Sequence, residues 1–452
     1  MTLRGRLTVA AGLLLAVGGA LLGLPVRDEP ATRNWVSPRP VDAAAVADTA
    51  RPAAPEWLLS RVPDAPETLE RVEVQPSPLT LPGPYFVENV PVPPGEGDLP
   101  GPLRVEYALD AELTSRIVRV LERARVRRGH VIVLDPNSGR VLAYVSTDPE
   151  SFPPEHNYPA ASLVKIVTAA AALHRDPKTA ERPCRYSGNP YRLRRSQIDP
   201  PRRGREVSLE RALAMSNNHC FAQLAVHAVG GEALLGALRR FGWLEEPAPG
   251  HDAGMARLGD DDFDLGRLGC GLAGCRITPL HAVQLAATLV RGERVQPWWV
   301  HRVTDAEGRE LALPRPGPRR RVMTERLAGE LRRMLVRTTT RGTARSAFRN
   351  RRGQPLLDDV QVAGKTGNLS GSHPRGRYEW FAGVAPADDP SVAVAVVQLH
   401  DDLWWQHSSG LAAGVFQQIF CERNRCSAER ARRFTGSVEQ EVTPLLLSDS
   451  GS

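Results

Sequence analysis

The sequence predicts an α+β protein: a five-stranded antiparallel sheet flanked by helices, with a helical subdomain inserted between its strands. Two observations carry this. His130–Leu134 and Arg140–Ser146 are short alternating runs joined by the turn Pro136-Asn137-Ser138-Gly139, and read as a hairpin. Three further strand-like runs, 359–364, 378–385 and 391–399, come some two hundred residues later, with turns such as Asp388-Asp389-Pro390 between them. Between the two groups the apolar spacing is helical.

Residues 1–26 start with Arg4 and Arg6 and continue as an uncharged apolar run, Leu7 to Val26, long enough to span a bilayer. The one clean small-residue cleavage pattern, Ala45-Val46-Ala47, lies well beyond that run, which favours an uncleaved anchor over a signal peptide. The arginines then stay inside, and the rest of the chain is extracytoplasmic. Residues 27–102 hold 16 of the 39 prolines and read as an extended, semi-rigid spacer, in which Trp57-Leu58-Leu59 and Pro84-Tyr85-Phe86-Val87 are apolar patches available for docking.

The catalytic unit reads as 103–426. An amphipathic helix with Ile117, Val118 and Leu121 on one face precedes the hairpin. Residues 159–174 then form a helix with almost no polar face, in which Ser162 and Lys165 stand three apart and share a side. A lysine so placed is pushed toward its neutral form and can accept the serine's proton. The basic, Pro-rich stretch 175–206 reads as a solvated loop. Helices about Ser208–Met215 and Phe221–Val229 flank Ser216-Asn217-Asn218. Thr278-Pro279 opens another helix, 323–337 is a fourth, and 406–420 closes the unit. Residues 427–452 read as a polar tail.

Of 58 basic residues only three are lysines, Lys165, Lys178 and Lys365, so arginine serves nearly every surface role. Two of the three lie in motifs. Ser162-Leu163-Val164-Lys165, Ser216-Asn217-Asn218 and Lys365-Thr366-Gly367 follow in order, 54 and 149 residues apart. Together they resemble the S-x-x-K, S-x-N, K-T-G set of penicillin-binding protein transpeptidase domains, a serine acyl-transferase family shared with the serine β-lactamases. The resemblance runs from about Val105 to Phe420.

That resemblance implies a D,D-transpeptidase acting on peptidoglycan stem peptides ending in D-Ala-D-Ala, through an acyl-Ser162 intermediate that β-lactams trap. Ser162 is the implied nucleophile, Lys165 its base and Ser216 a proton relay. Asn218 holds the donor amide, Lys365 and Thr366 meet the terminal carboxylate, and Gly367 gives the substrate room. The backbone N–H groups of Ser162 and Asn368 form the oxyanion hole. Many relatives carry threonine or serine where this chain has Asn368. The same residues serve D,D-carboxypeptidases and endopeptidases. A serine β-lactamase is disfavoured because no glutamate between Ser216 and Lys365 has an asparagine four residues on, and Asn218 departs from the S-x-V pattern. Intact motifs weigh against a non-catalytic scaffold, and the lack of a readable cytoplasmic signalling domain weighs against a β-lactam sensor.

No cofactor is implied, and no nucleic-acid motif occurs. The net charge of +7 is spread along the chain and reads as a solvated surface. His400 and His407 stand seven apart with no paired ligand spacing, so no metal is expected. Trp404 and Trp405 read as core. Six cysteines fit an oxidising compartment, and we expect the bridges Cys184–Cys220, Cys270–Cys275 and Cys421–Cys426.

Overall fold

The computed structural model describes residues 51–63, 69–72, 83–95, 99–314, 316–400, 406–423 and 425–435. The apolar run 7–26, the region 27–50 and Trp404–Trp405 lie outside the described residues. Among those described, no single helix is long and apolar enough to cross a membrane.

Two sheets organise the chain. The smaller one contains β1 (Glu70–Val72), β2 (Tyr85–Val90), β3 (Leu103–Asp110) and, from much later, β6 (Val300–Thr304), in the order β1-β2-β3-β6. The larger contains the hairpin β4 (Gly129–Leu134) and β5 (Val141–Ser146), then β7 (Ala363–Ser372), β8 (Arg375–Ala385) and β9 (Val392–His400). Its order is β7-β8-β9-β4-β5, antiparallel throughout, so the five expected strands make one sheet.

Strand alternation sorts this sheet's side chains into two cores. Ile132, Leu134, Trp380, Ala382, Ala393 and Ala395 face the inserted helices. Val131, Val133, Phe381, Val394 and Val396 face α1 (Ala111–Arg123) and the closing helix α8 (Ser408–Phe420). The central strand β9 is buried along its whole length, as a strand covered on both faces must be. Asp110 ends β3 and caps α1, its carboxylate accepting from Leu113 N at 2.7 Å.

The inserted layer contains α2 (Val164–Arg175), α3 (Leu209–Ala214), α4 (Asn218–Gln223), α5 (Asp262–Cys270), α6 (Pro279–Arg291) and α7 (Glu325–Thr340). Each start from α3 to α7 has its capping side chain: Ser208, Asn217, Asp261, Thr278 and Thr324.

The Pro-rich segment is more than a spacer. β2 contains no proline and pairs on both sides, with β1 and β3. Leu58 and Phe86 belong to the main core, Val87 is buried, and the Trp299 indole donates to Arg61 O at 2.8 Å. The expected boundary at 427 also shifts. Phe434 is buried, and the buried Arg140 guanidinium donates to Ala108 O (2.7 Å) and Phe434 O (3.2 Å), fixing the turn 432–435 to the hairpin.

Two of the three expected disulfides are present, Cys184–Cys220 and Cys421–Cys426. Cys270 and Cys275 are buried thiols instead. Cys270 ends α5 with its Sγ turned back to Arg267 O at 3.6 Å, whereas Cys275 lies in a short strand held between Met255–Ala256 and Tyr158–Pro159. Equal spacing with Cys421–Cys426 therefore does not give equal geometry. Burial raises both thiol pKa values, that of Cys275 to about 12. Two thiols per chain should alkylate only after denaturation. Removing Cys184–Cys220, which closes a loop of 36 residues, should cost about 2–4 kcal/mol in a melting experiment.

Candidate active site

Ser162 does not lie in the helix proper. It sits in a one-turn 3₁₀ segment, Ala161–Leu163, that feeds into α2. Ala161 has φ of 49°, a left-handed conformation uncommon outside glycine, and Ser216 has φ of 55°. Two of the three motifs thus begin at a strained backbone, as is frequent where a fold over-determines a functional side chain.

The strain is held by close packing. Gly271 follows α5 with φ of 79°, and a Cβ there would lie 2.0 Å from Ala161 O and 3.1 Å from Ser162 N. Gly367, on the edge strand β7, faces the same turn from the other side. A Cβ there would lie 3.2 Å from that of Ala161 and 3.3 Å from Ala160 O. Its first role is therefore to let the strand approach the turn that carries Ser162, in addition to the expected room for substrate. The Trp380 indole donates to Pro159 O at 2.9 Å and pins the turn to β8.

Lys165 and Lys365 are fully buried, Ser216 and Asn218 nearly so, and Ser162 is half-buried. Lys165 Nζ lies 2.8 Å from Ser162 Oγ, 3.1 Å from Ser216 Oγ, 3.1 Å from Ser216 O and 2.6 Å from Asn218 Oδ1. Four oxygens exceed the three N–H bonds of an ammonium group, which has no lone pair. The carbonyl of Ser216 and the amide oxygen of Asn218 can only accept. A neutral amine satisfies both and keeps its lone pair for a hydroxyl proton. Burial acts the same way, lowering the Lys165 pKa to about 8.

Lys365 lies within β7 and not at a strand end, because β7 runs to Ser372 and not only to 364. Its Nζ donates to Ser216 Oγ (2.9 Å) and Thr366 O (2.8 Å). Burial and then the neighbouring Lys165 push its pKa well below the usual lysine value. The Ser216 hydroxyl thus bridges two amines.

Asn218 is used differently from the expectation. Its Nδ2 donates to Tyr191 O at 2.8 Å and its backbone N–H to Pro190 O at 2.8 Å. Both ends of the amide are engaged by protein, so in this state it orients Lys165 and holds the loop. Residues 190–192, expected as a solvated loop, form a wall of the site, with Tyr191 half exposed at the rim. Cys184–Cys220 ties this loop to α4 from behind. Thr343 was not singled out either, yet its hydroxyl is 2.6 Å from that of Thr366. The Gly342-Thr343-Ala344 triplet after a helix was the available signal. Asn368 is exposed, its Oδ1 accepting from Arg377 Nε at 2.6 Å.

His400 and His407 both reach Glu379, at 3.2 and 2.7 Å. Among the described residues no group of three or more His, Cys, Asp or Glu side chains is arranged to hold a metal.

The profile of the Penicillin binding protein transpeptidase domain matches residues 129–420. The chain belongs to this family. The penicillin-binding transpeptidase region covers the larger sheet and all the inserted helices, and β1 to β3 precede it. By sequence the chain is similar to the peptidoglycan D,D-transpeptidase PbpA of Mycolicibacterium smegmatis, 27% identical over 314 residues, 60% of this chain and 61% of the relative. It is also similar to stage V sporulation protein D of Bacillus subtilis, 25% identical over 334 residues, 65% of this chain and 49% of that protein. The chain thus spans less than two thirds of the length of these relatives. By fold it is similar to penicillin-binding protein A of M. tuberculosis, solved as an imipenem acyl-enzyme complex (TM-score 0.56, 24% identity, 70% of this chain and 79% of that one). It is likewise similar to a D,D-transpeptidase domain from Eggerthella lenta (TM-score 0.55, 22% identity, 70% and 82%).

Proposed function

We propose that the chain is a peptidoglycan D,D-transpeptidase that acylates at Ser162. The observation that carries this is the buried amine of Lys165, 2.8 Å from Ser162 Oγ, with two accept-only oxygens occupying its N–H bonds. Ser162 Oγ attacks the carbonyl carbon of the penultimate D-alanine, and its proton passes to Lys165. As the peptide C–N bond breaks, the Ser216 hydroxyl delivers that proton to the leaving amine. Lys365 contributes through its hydrogen bond to Ser216, while Thr366 and Thr343 present hydroxyls to the donor's carboxylate. The backbone N–H groups of Ser162 and Asn368 serve as oxyanion donors. An acceptor amine then breaks the ester, and the serine regains its proton. The same acylation by a β-lactam ends at a stable ester. The run Leu7–Val26 anchors the protein in the bacterial cytoplasmic membrane, with the catalytic unit outside.

Among the described residues no carboxylate bonds to Ser162, Lys165, Ser216 or Lys365, and the transpeptidase reading expects slow hydrolysis of the acyl group. Fluorescent penicillin followed by an unlabelled chase should therefore leave a long-lived label on Ser162. Rapid loss with turnover identifies a β-lactamase instead, and no label refutes the acylation site.

The same assay has a pH dependence. The neutral fraction of Lys165 grows up to its pKa of about 8, so the acylation rate should rise about tenfold per unit below that and level off above. A rate independent of pH between 6 and 8 argues against a lysine base. Stability has the same sign: the unfolded chain, with an ordinary lysine value of 10.5, binds more protons between pH 8 and 10.5, so this residue's contribution improves as pH rises through that window.

A further inference from the structure

The start of α4 holds the wall loop by three successive carbonyls. Pro190 O accepts from the backbone N–H of Asn218 (2.8 Å), Tyr191 O from its Nδ2 (2.8 Å), and Arg192 O from Nε2 of His219 (2.5 Å). A carbonyl can only accept, so His219 carries a proton on Nε2. The imidazole is buried and stands edge-on to the Tyr186 ring at 6.0 Å. Further along α4 the Gln223 amide donates to Arg185 O at 3.1 Å. The loop closes its own turn through Tyr191 N to Asn189 Oδ1 (3.0 Å) and Arg192 N to Asn189 O (3.2 Å). Its seat against the site comes from the side chains of α4, His219 among them.

The Asn218 amide has two unlike ends. Its oxygen accepts from Lys165 Nζ at 2.6 Å, and its nitrogen faces Tyr191 O. Turned over, the amide would set its oxygen against the Tyr191 carbonyl with no hydrogen between them. Its Nδ2–H groups would then face the amine. A neutral amine meets an N–H donor with its lone pair, the same lone pair that takes the proton of Ser162. The Tyr191 carbonyl thus selects the orientation that leaves Lys165 competent. That carbonyl is itself fixed from both sides, by Asn218 N at Pro190 O and by His219 at Arg192 O.

We propose that His219 is a positioning residue for acylation. Its bond to Arg192 O fixes the 190–192 wall, so that Tyr191 O keeps the oxygen of the Asn218 amide turned toward Lys165. The assignment rests on the acyl-Ser162 reading above. Among the described residues His219 bonds to neither Ser162 nor Lys165, so its effect passes through Asn218 to the rate of the chemical step.

A graded set of variants tests this. His219→Gln keeps an N–H donor at the same number of bonds from Cα as Nε2. His219→Asn carries the same amide one bond short, and His219→Ala has no donor at all. Stopped-flow acylation of the full chain by a fluorescent penicillin, over a range of concentrations, separates the limiting rate from the dissociation constant of the non-covalent complex. Small misplacements of a reacting group are costly, so the Ala and Asn variants should acylate about 10–10²-fold more slowly at saturation, and the Gln variant within about threefold of the parent. The dissociation constant should stay near the parent's throughout. Thermal midpoints are measured beside the rates. If the Ala variant fails to fold, the Gln and Asn variants decide, since both keep a polar amide in the same place.

Equal slowing in the Gln and Ala variants overturns the proposal, because the ring and not its N–H would then be what the site needs. A weakened non-covalent complex with an unchanged limiting rate also overturns it, and makes the wall a binding surface. A parent that labels normally beside variants that all match it overturns the role of His219 alone. A parent that takes no label overturns the acyl-Ser162 reading and this inference with it.

Discussion

Lys165→Arg should give a folded protein that fails to acylate. Arginine keeps the charge but stays protonated, so it cannot receive the proton of Ser162. Loss of the base alone should lower the acylation rate about 10²–10⁴-fold. The larger head also enters a site with no exposed surface, where overpacking costs about 1–3 kcal/mol, so the thermal midpoint is measured beside the rate. Lys165→Met removes the amine without that added bulk and should be equally inactive toward penicillin. Acylation within a few-fold of the parent by either folded variant would exclude Lys165 as the base.

The second large effect is expected at a residue with no side chain at all. Gly271→Ala places a methyl 2.0 Å from Ala161 O, at a backbone φ of 79°. The left-handed conformation costs a residue with a Cβ about 1–2 kcal/mol, and the methyl must displace the 3₁₀ turn that carries Ser162. A misplacement of about 1 Å at a reacting atom can cost about 10²-fold in rate. The variant should therefore lose acylation steeply while retaining most of its secondary structure by circular dichroism. Normal acylation would mean that the turn is positioned without α5.

How much of this was legible in the sequence depended on the kind of signal. The sheet's central strands were readable because Val and Ala alternate through a doubly buried stretch. The edge strand β7 was placed too early. Its segment Gly-Lys-Thr-Gly-Asn-Leu-Ser-Gly-Ser has no apolar period, and it is a strand because β8 pairs with it residue for residue. That slip put Lys365 just past the strand's end, when it is a buried amine within the strand, bridging to Ser216. Proline density suggested an extended spacer over 27–102 and concealed the proline-free Tyr85–Val90, whose pairing partner β3 lies beyond the intervening turns. The motif residues were legible by order and spacing. Their supports were not: Gly271, Thr343 and the carbonyls of Pro190 and Tyr191 act through backbone position, which leaves little trace in residue type. Cys270 and Cys275 show the same limit, since a spacing of five carries no information about where a helix ends and a strand begins.

The sheet order β7-β8-β9-β4-β5 also dictates a sequence in time. The hairpin β4–β5 is made early, yet the neighbour of β4 is β9, so Leu134 must wait for Ala393. At synthesis rates of about 5–20 residues per second that interval is on the order of tens of seconds. Through it β4 presents an unpaired, mostly apolar edge, the surface most prone to join another chain. Pairings of such long reach also slow folding itself. The nucleophile turn precedes that last pairing, while its contacts with β7 and β8 need the late hairpin in place. Newly made chains should thus acquire acylation competence late, in step with closure of the β4–β9 seam and not with formation of the helix that follows Ser162.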